Sequence, residues 1–321
     1  MEQVLQNLDR THILGYIDDI ITHSGGKNAN DHQLQLLDTL LDAHISAGLK
    51  INPEKSHLFQ TQVEYLGHLV TEQGIAMIPK YRKLLEEWPE PKTQQELTQF
   101  LGKMGYYSQF LGKDYARTRA PLDKLRSKKE QFTFGKEERE AFKKIRSMVS
   151  LANGKGPLAF PDVNMDASPL IADSDWSKEG MGYELSQVQN GKERLIATGG
   201  RKCSLAESRY SANKGETAAI VFCVEQFEHL LRLRKFTIRT DHMALQYLKT
   251  SYKLKDALWV KLNQYLNTFD CDIQFREGRF HTNVDINSRC AHLPEPTQDE
   301  TEEIENIGTL VHAIDLSLIH I

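Results

Sequence analysis

A chain of 321 residues, 40% hydrophobic and 26% charged, has the composition of ordinary globular material and the length for two cored domains and a tail. It holds no apolar run long enough to cross a membrane, and residues 1–10 lack the basic-then-apolar order of a signal peptide. The formal charge of −4 is unevenly spread: residues 295–321 carry seven acids and no Lys or Arg, which leaves the rest at +3, and residues 80–155 alone hold 18 Lys and Arg against 10 Asp and Glu.

A local basic excess of that kind suits a surface that tracks a phosphate backbone, although a solvated, charge-rich helical face accounts for it equally well. Cys203, Cys223, Cys271 and Cys290 are widely spaced with no C-x-x-C pair, which argues against a zinc knuckle or a disulfide framework and for a reducing, intracellular setting.

Residues 12–21 read as an apolar hairpin interrupted by Asp18 and Asp19. Leu34, Leu37, Leu40, Leu41, Ala43, His44 and Ala47 keep a helical spacing that Gly48 closes; Asn52 and Pro53 then turn the chain. Residues 63–70 read as one strand and 71–74 as the turn after it. Trp88-Pro89-Glu90-Pro91 breaks structure, and Thr93-Gln94-Gln95-Glu96 supplies a capping box for a helix running toward Tyr107. A second amphipathic helix is expected over 137–148, and 153–157, Asn-Gly-Lys-Gly-Pro, is the best candidate boundary.

Beyond it the pattern becomes mixed. A strand is expected over 170–175, then strands over 182–188 and 194–198 around the hairpin signal Asn190-Gly191. A long helix over 208–231, a strand over 236–241, helices within 243–248 and 257–269, a strand over 271–276 and a short segment near Asp285 complete an α/β domain on a mixed sheet.

Four acids stand there where apolar or neutral residues would be expected. Glu216 lies on the helical stripe of Ile220, Cys223, Phe227 and Leu231 and so points toward the sheet. Asp175 and Asp241 end strands, and Asp285 opens a helix. Carboxylates that converge repel one another unless a divalent cation neutralises them; hard oxygen donors suit Mg²⁺, and such clusters serve two-metal phosphodiester hydrolysis. For any one of these acids alone, a solvated strand-end or capping role is the commoner case.

Resemblance changes that balance. The stretch 175–187, with Asp175, Ser177, Gly180, Gly182 and the closing Leu185-Ser186-Gln187, resembles the first motif of the ribonuclease H domain of gypsy-class LTR retrotransposons. Residues 201–211 look like that family's linker, 214–221 carry its Glu, 235–245 are similar to its Thr-Asp-His block (Thr240-Asp241-His242), and 283–289 resemble its closing motif. The resemblance implies that Asp175, Glu216, Asp241 and Asp285 bind a pair of Mg²⁺ ions, with Mn²⁺ as a substitute. It leaves His281 as a candidate for proton shuttling or product release. Asp173, two residues back on the same strand, competes for the first role, but Asp175 alone stands correctly before Ser177, Gly180 and Gly182. Trp176 and Asn287 depart from the pattern, where a small and an apolar residue are usual, and question local packing rather than catalysis.

Upstream, Tyr16-Ile17-Asp18-Asp19 resembles the Tyr-x-Asp-Asp turn of reverse transcriptases, where Asp18 and Asp19 would hold metal. Residues 48–55 and Tyr65-Leu66-Gly67-His68, similar to the hairpin that grips a primer end, extend the match, and 100–110 resemble the thumb and connection signature. The family's polymerase site takes another Asp from an earlier strand, and no such block precedes residue 16, so polymerisation by this chain alone is not expected.

The implied fold class is therefore α/β: an α+β palm and thumb remnant followed by a ribonuclease H-like mixed-sheet domain. The expected domains are 1–78, end of the palm; 79–155, basic helical thumb and connection; 156–293, ribonuclease H-like; and 294–321, an acidic disordered tail whose last six residues resemble a translated sequencing adapter. The implied activity is metal-dependent cleavage of the RNA strand of RNA–DNA hybrids, within a Pol polyprotein that is an RNA-directed DNA polymerase. The implied partners are the hybrid, template-primer nucleic acid and the remainder of the polyprotein, in a cytoplasmic particle or the nucleus and not at a membrane. The alternative is a catalytically dead, nucleic-acid-binding remnant of a decayed element.

Overall fold

The computed structural model describes residues 2–9, 11–126, 132–154, 156–164, 166–232, 234–241 and 257–275. Asp285, His281 and Asn287, the helix expected over 243–248 and the tail lie outside them. The described residues fall into two compact units, one up to Ile78 and one from Pro79 onward. Both mix helix and sheet, and no described helix is long and apolar enough to cross a membrane.

In the first unit, α1 (Glu2–Leu5) and α2 (Ala29–Ser46) pack on the antiparallel hairpin β1 (Ile13–Tyr16) and β2 (Asp19–Thr22). Leu5, Ile13, Leu36 and Leu40 form the buried cluster; of the expected stripe Leu40 and His44 are buried, whereas Leu34 is 48% exposed and Leu36, outside the stripe, faces inward instead. Gly48, at φ +70°, ends α2 in the left-handed region that glycine adopts without penalty.

The single strand expected over 63–70 is instead two. β3 (Gln62–Tyr65) and β4 (His68–Thr71) pair antiparallel around Leu66-Gly67, both at positive φ, and β5 (Gly74–Met77) adds a third strand. The apolar run of Val63, Leu66, Leu69 and Val70 reads as one strand, whereas the hairpin resemblance of Tyr65-Leu66-Gly67-His68 puts the turn where it is found.

In the second unit, α3 (Pro79–Glu86), α4 (Gln94–Tyr106), α5 (Tyr115–Thr118), α6 (Ala120–Lys124) and α7 (Lys136–Gly154) surround Leu97, Phe100, Leu101, Met104, Leu122 and Ile145, all essentially inaccessible. The rings of Phe100 and Phe142 sit 4.6 Å apart at its centre. Thr93 caps α4, its Oγ1 accepting from the Glu96 N–H at 3.2 Å, while the Glu96 carboxylate accepts from the Lys92 N–H and not from that of the cap residue itself.

The sheet of this unit runs in the order β10-β9-β6-β7-β8, formed by β6 (Leu170–Trp176), β7 (Gly180–Gln189), β8 (Lys192–Lys202), β9 (Phe236–Thr240) and β10 (Cys271–Phe275). β6, β7 and β8 are antiparallel, whereas β9 runs parallel to both β6 and β10. Asn190-Gly191, at φ +51° and +74°, makes the β7–β8 turn that the sequence signals.

α8 (Ala212–Gln226) packs on β6 and β7, with α10 (Ala257–Leu266) against it. The helix expected over 208–231 breaks at Phe227 (φ −117°, ψ 21°), followed by the single turn α9 (Glu228–Leu231). The break lets Phe227 turn onto Tyr183, 5.2 Å away and edge-on.

Successive residues of β7 face opposite sides. Tyr183 meets Phe222 and Phe227 on the α8 side, whereas Gly182 faces residues 109–119, a strap that crosses β7 and β8. The Thr198 hydroxyl fastens it, donating to the Gln109 carbonyl at 3.0 Å and accepting from the Gly112 N–H at 3.0 Å. Any Cβ at Gly182 would overlap the Lys113 carbonyl, and one at Gly200 would stand 3.2 Å from it, so these glycines form the recess that seats the strap.

Candidate active site

β6 and β9 are neighbouring parallel strands with Asp173 opposite Arg239. Asp175 lies one residue from the end of β6, and Asp241 immediately follows β9. Asp175 pairs with Gly182 and leaves the sheet on the strap side. Glu216, on the first turns of α8 and 9% exposed, comes from the helix side. Its carboxyl is pushed up to about 8, chiefly by burial and then by the charges of Asp175 and Asp241; a hydrogen bond from the Trp176 N–H and the charge of Lys113 work the other way. Three of the four acids singled out in the sequence thus share one electrostatic neighbourhood at the end of β6.

Local sequence explains the placement. Ser177 ties the β6–β7 turn: its N–H bonds the Gly180 carbonyl at 2.9 Å, and its Oγ accepts from Gly180 N at 3.2 Å and Glu179 N at 3.3 Å. Trp176, the departure from the motif, lays its ring over Gly215, the residue before Glu216. Asp173 goes elsewhere. It is buried, with its carboxylate 3.7 Å from Arg239 Nη1, and Arg239 also bonds Glu193 at 2.7 Å.

Sequence reading missed the cation. Arg117, carried on the strap, donates from Nη2 to Asp175 Oδ2 at 2.6 Å, and Nη1 lies 3.6 Å from Asp114. Burial works against its charge, but Asp175, Asp114 and Glu179 outweigh that and hold it protonated. The only signal for Arg117 was the basic excess of its segment. Among the described residues no three His, Cys, Asp or Glu side chains are already gathered as an ion site. The donor chemistry nevertheless fits a hard divalent cation, because the charges of Asp175 and Asp241 add to burial in disfavouring the Glu216 carboxylate, and a cation relieves that repulsion.

In the first unit Tyr16 and Asp19 pair across the β1–β2 turn, with Asp18 and Asp19 both exposed at its tip and Ile17 at φ +46°. Burial, then the charge of Asp19, pushes the Tyr65 hydroxyl up to about 12. At the opposite end of β1 and β2 the His12 ring meets that of His23 at a tilt, 4.8 Å away, and that of His32 edge-on, 4.6 Å away.

Two family models match: reverse transcriptase (RNA-dependent DNA polymerase) over residues 1–70, and the RNase H-like domain found in reverse transcriptase over residues 166–269. Among curated proteins, the chain is 31% identical to the retrovirus-related Pol polyprotein from transposon 297 of Drosophila melanogaster, over 97% of this chain and 28% of that protein. It is 30% identical to the one from transposon gypsy of the same organism, over 85% of this chain and 26% of that protein. For transposon opus the figures are 28% identity, 90% and 29%, so the chain spans under a third of these relatives.

The fold is similar to that of the foamy viral protease-reverse transcriptase in complex with RNA/DNA hybrid, at a TM-score of 0.66 and 18% identity over 91% of this chain and 39% of that one. The same enzyme in complex with dsDNA gives a TM-score of 0.67 at 19% identity, over 89% and 57%. With a reverse transcriptase segment followed by a ribonuclease H-like domain, and relatives that match along most of its length, the chain belongs with the Pol polyproteins of gypsy-type retrotransposons.

Proposed function

We propose that the second unit cleaves the RNA strand of RNA–DNA hybrids in a reaction that depends on a divalent cation, and that the parent polyprotein is an RNA-directed DNA polymerase working inside the cell. The observation that carries the reading is the placement of the buried Glu216 within reach of the charges of Asp175 and Asp241, at the ends of adjacent strands. Asp175, Glu216 and Asp241 would hold Mg²⁺, or Mn²⁺ in its place, with Asp285 as the fourth ligand and His281 beside it. When bound, the cation lowers the pKa of the attacking water and steadies the leaving oxygen. The chain's own part is to fix the carboxylates on two strand ends and one helix, so that they need no rearrangement of the backbone. The bond broken is phosphorus to the leaving ribose oxygen, and the bond formed is phosphorus to the water oxygen.

A hybrid as ligand is supported by the foamy viral relatives, solved with dsDNA and with RNA/DNA hybrid, and by the basic excess over residues 80–155. In the first unit Asp18 and Asp19, beside Tyr16, are read as metal ligands of the polymerase. The second reading, a nucleic-acid-binding remnant without catalysis, is favoured by one observation: Arg117 already occupies an oxygen of Asp175.

Cleavage of a labelled RNA–DNA hybrid by the full chain with Mg²⁺, beside Asp241→Asn and a pure-DNA duplex, separates the two. Metal-dependent cutting of the RNA strand that Asp241→Asn abolishes is the expected result. Hybrid binding without cutting would overturn it in favour of the remnant.

A further inference from the structure

We propose that Arg117 is a positioning residue for Asp175 and a displaceable counter-ion for the acid cluster, so that the strap at residues 109–119 sets how tightly the site holds a divalent cation. The inference rests on the reading of Asp175, Glu216 and Asp241 as cation ligands. It goes beyond that reading by assigning a role to a segment that neither matching family model covers.

Two observations converge on Arg117. Its Nη2 is 2.6 Å from Asp175 Oδ2, a charge-assisted bond to an oxygen that a cation would also need. The strap is seated by main chain, through Thr198 and through the glycine recess at Gly182 and Gly200, so the guanidinium is delivered by a fixed backbone and not by a wandering side chain. The Asp175 carboxylate is therefore balanced from inside the protein by a cation that the strap delivers. A divalent ion binding there has to displace the guanidinium from Asp175, and its affinity is lowered by whatever that bond is worth.

Mn²⁺ titration of the full chain, with the free ion read by electron paramagnetic resonance, tests this alongside thermal melting. Arg117→Ala is expected to bind Mn²⁺ about tenfold more tightly, the size of effect a half-exposed neighbouring charge exerts. Arg117→Lys, which keeps the charge, is expected to stay close to the unaltered chain, and Asp241→Asn to bind more weakly. If Arg117→Ala does not fold, Arg117→Gln, which keeps a donor without the charge, carries the same expectation. A purely structural anchor would change the melting temperature and leave Mn²⁺ affinity alone. Unchanged affinity in Arg117→Ala together with weakened binding in Asp241→Asn overturns this inference and spares the reading of the acids. Absence of Mn²⁺ binding in every variant overturns both.

Discussion

The indole of Trp176 lies flat over Gly215, in space that a Cβ at that position would occupy. A large residue on the strand is matched by the absence of a side chain on the helix, one position before Glu216. Gly215→Ala should therefore cost about 1–3 kcal/mol by overpacking, although alanine is the better helix former. In a Trp176→Ala background the same change should become neutral or mildly stabilising. Denaturant unfolding of the four variants measures the coupling, and strictly additive costs would refute the packing argument.

Stability should fall as the medium becomes more alkaline. The folded carboxyl of Glu216 sits at about 8 against an ordinary 4.5. Protonation favours the fold, so its contribution is whole below about 4.5 and is lost as pH rises through 8. The loss should be on the order of a few kcal/mol. Glu216→Gln should flatten the profile in this window, and saturating Mg²⁺ should partly restore the unaltered chain at the alkaline end. Melting temperatures across the window read both effects; a profile for Glu216→Gln parallel to that of the unaltered chain would count against the assignment.

The first unit should respond to pH in the opposite sense. Burial, and then the neighbours His12 and His32, depress the His23 imidazole below its ordinary 6.5, against a hydrogen bond to the Thr11 carbonyl and the charge of Asp9. A depressed base stabilises the fold above 6.5, and that stability is lost as pH falls through the folded value. Amides of β1 and β2 should exchange with solvent faster on acidification once intrinsic rates are corrected for, and less so in His23→Gln. Equal acceleration in both would remove His23 as the cause.

Thr198→Val removes two hydrogen bonds to the strap while keeping its shape, leaving the Gln109 carbonyl and the Gly112 N–H without that partner. The expected cost is about 1–3 kcal/mol. Gly182→Ala should displace the strap more severely, because the obstacle is the Lys113 main-chain carbonyl. Limited proteolysis near Gly112 should accelerate in both variants; unchanged cleavage in Gly182→Ala would contradict the recess.

Local chemistry was legible in the sequence wherever it acts over a few residues. Asn190-Gly191 forms its turn, Thr93 caps its helix, and the stripe through Ile220 and Cys223 buries Glu216. Errors fell where apolar continuity masked a break: Leu66-Gly67 inside a run of strand formers, and Phe227 inside a stripe that Leu230 and Leu231 prolong. Arg117 was illegible for a different reason. It meets Asp175 across 58 positions of chain, and nothing near either residue encodes the meeting. The glycines at 180 and 182 were legible as a motif but not as a seat, because what sits there comes from another part of the chain.

The seating of the strap has a consequence for how this chain can vary. Between the Thr198 hydroxyl and Asp175, the stretch from Gln109 to Arg117 is pinned at both ends and pressed onto glycine in the middle. Its main chain makes the contacts with Thr198 and the glycines, while Phe110, Leu111, Tyr115 and Ala116 along it are buried and Arg117 reaches Asp175. Its length is constrained as well: an inserted or deleted residue would carry the guanidinium past its carboxylate or leave it short. In this segment the spacing between Thr198's partners and Arg117 therefore matters alongside the side chains themselves.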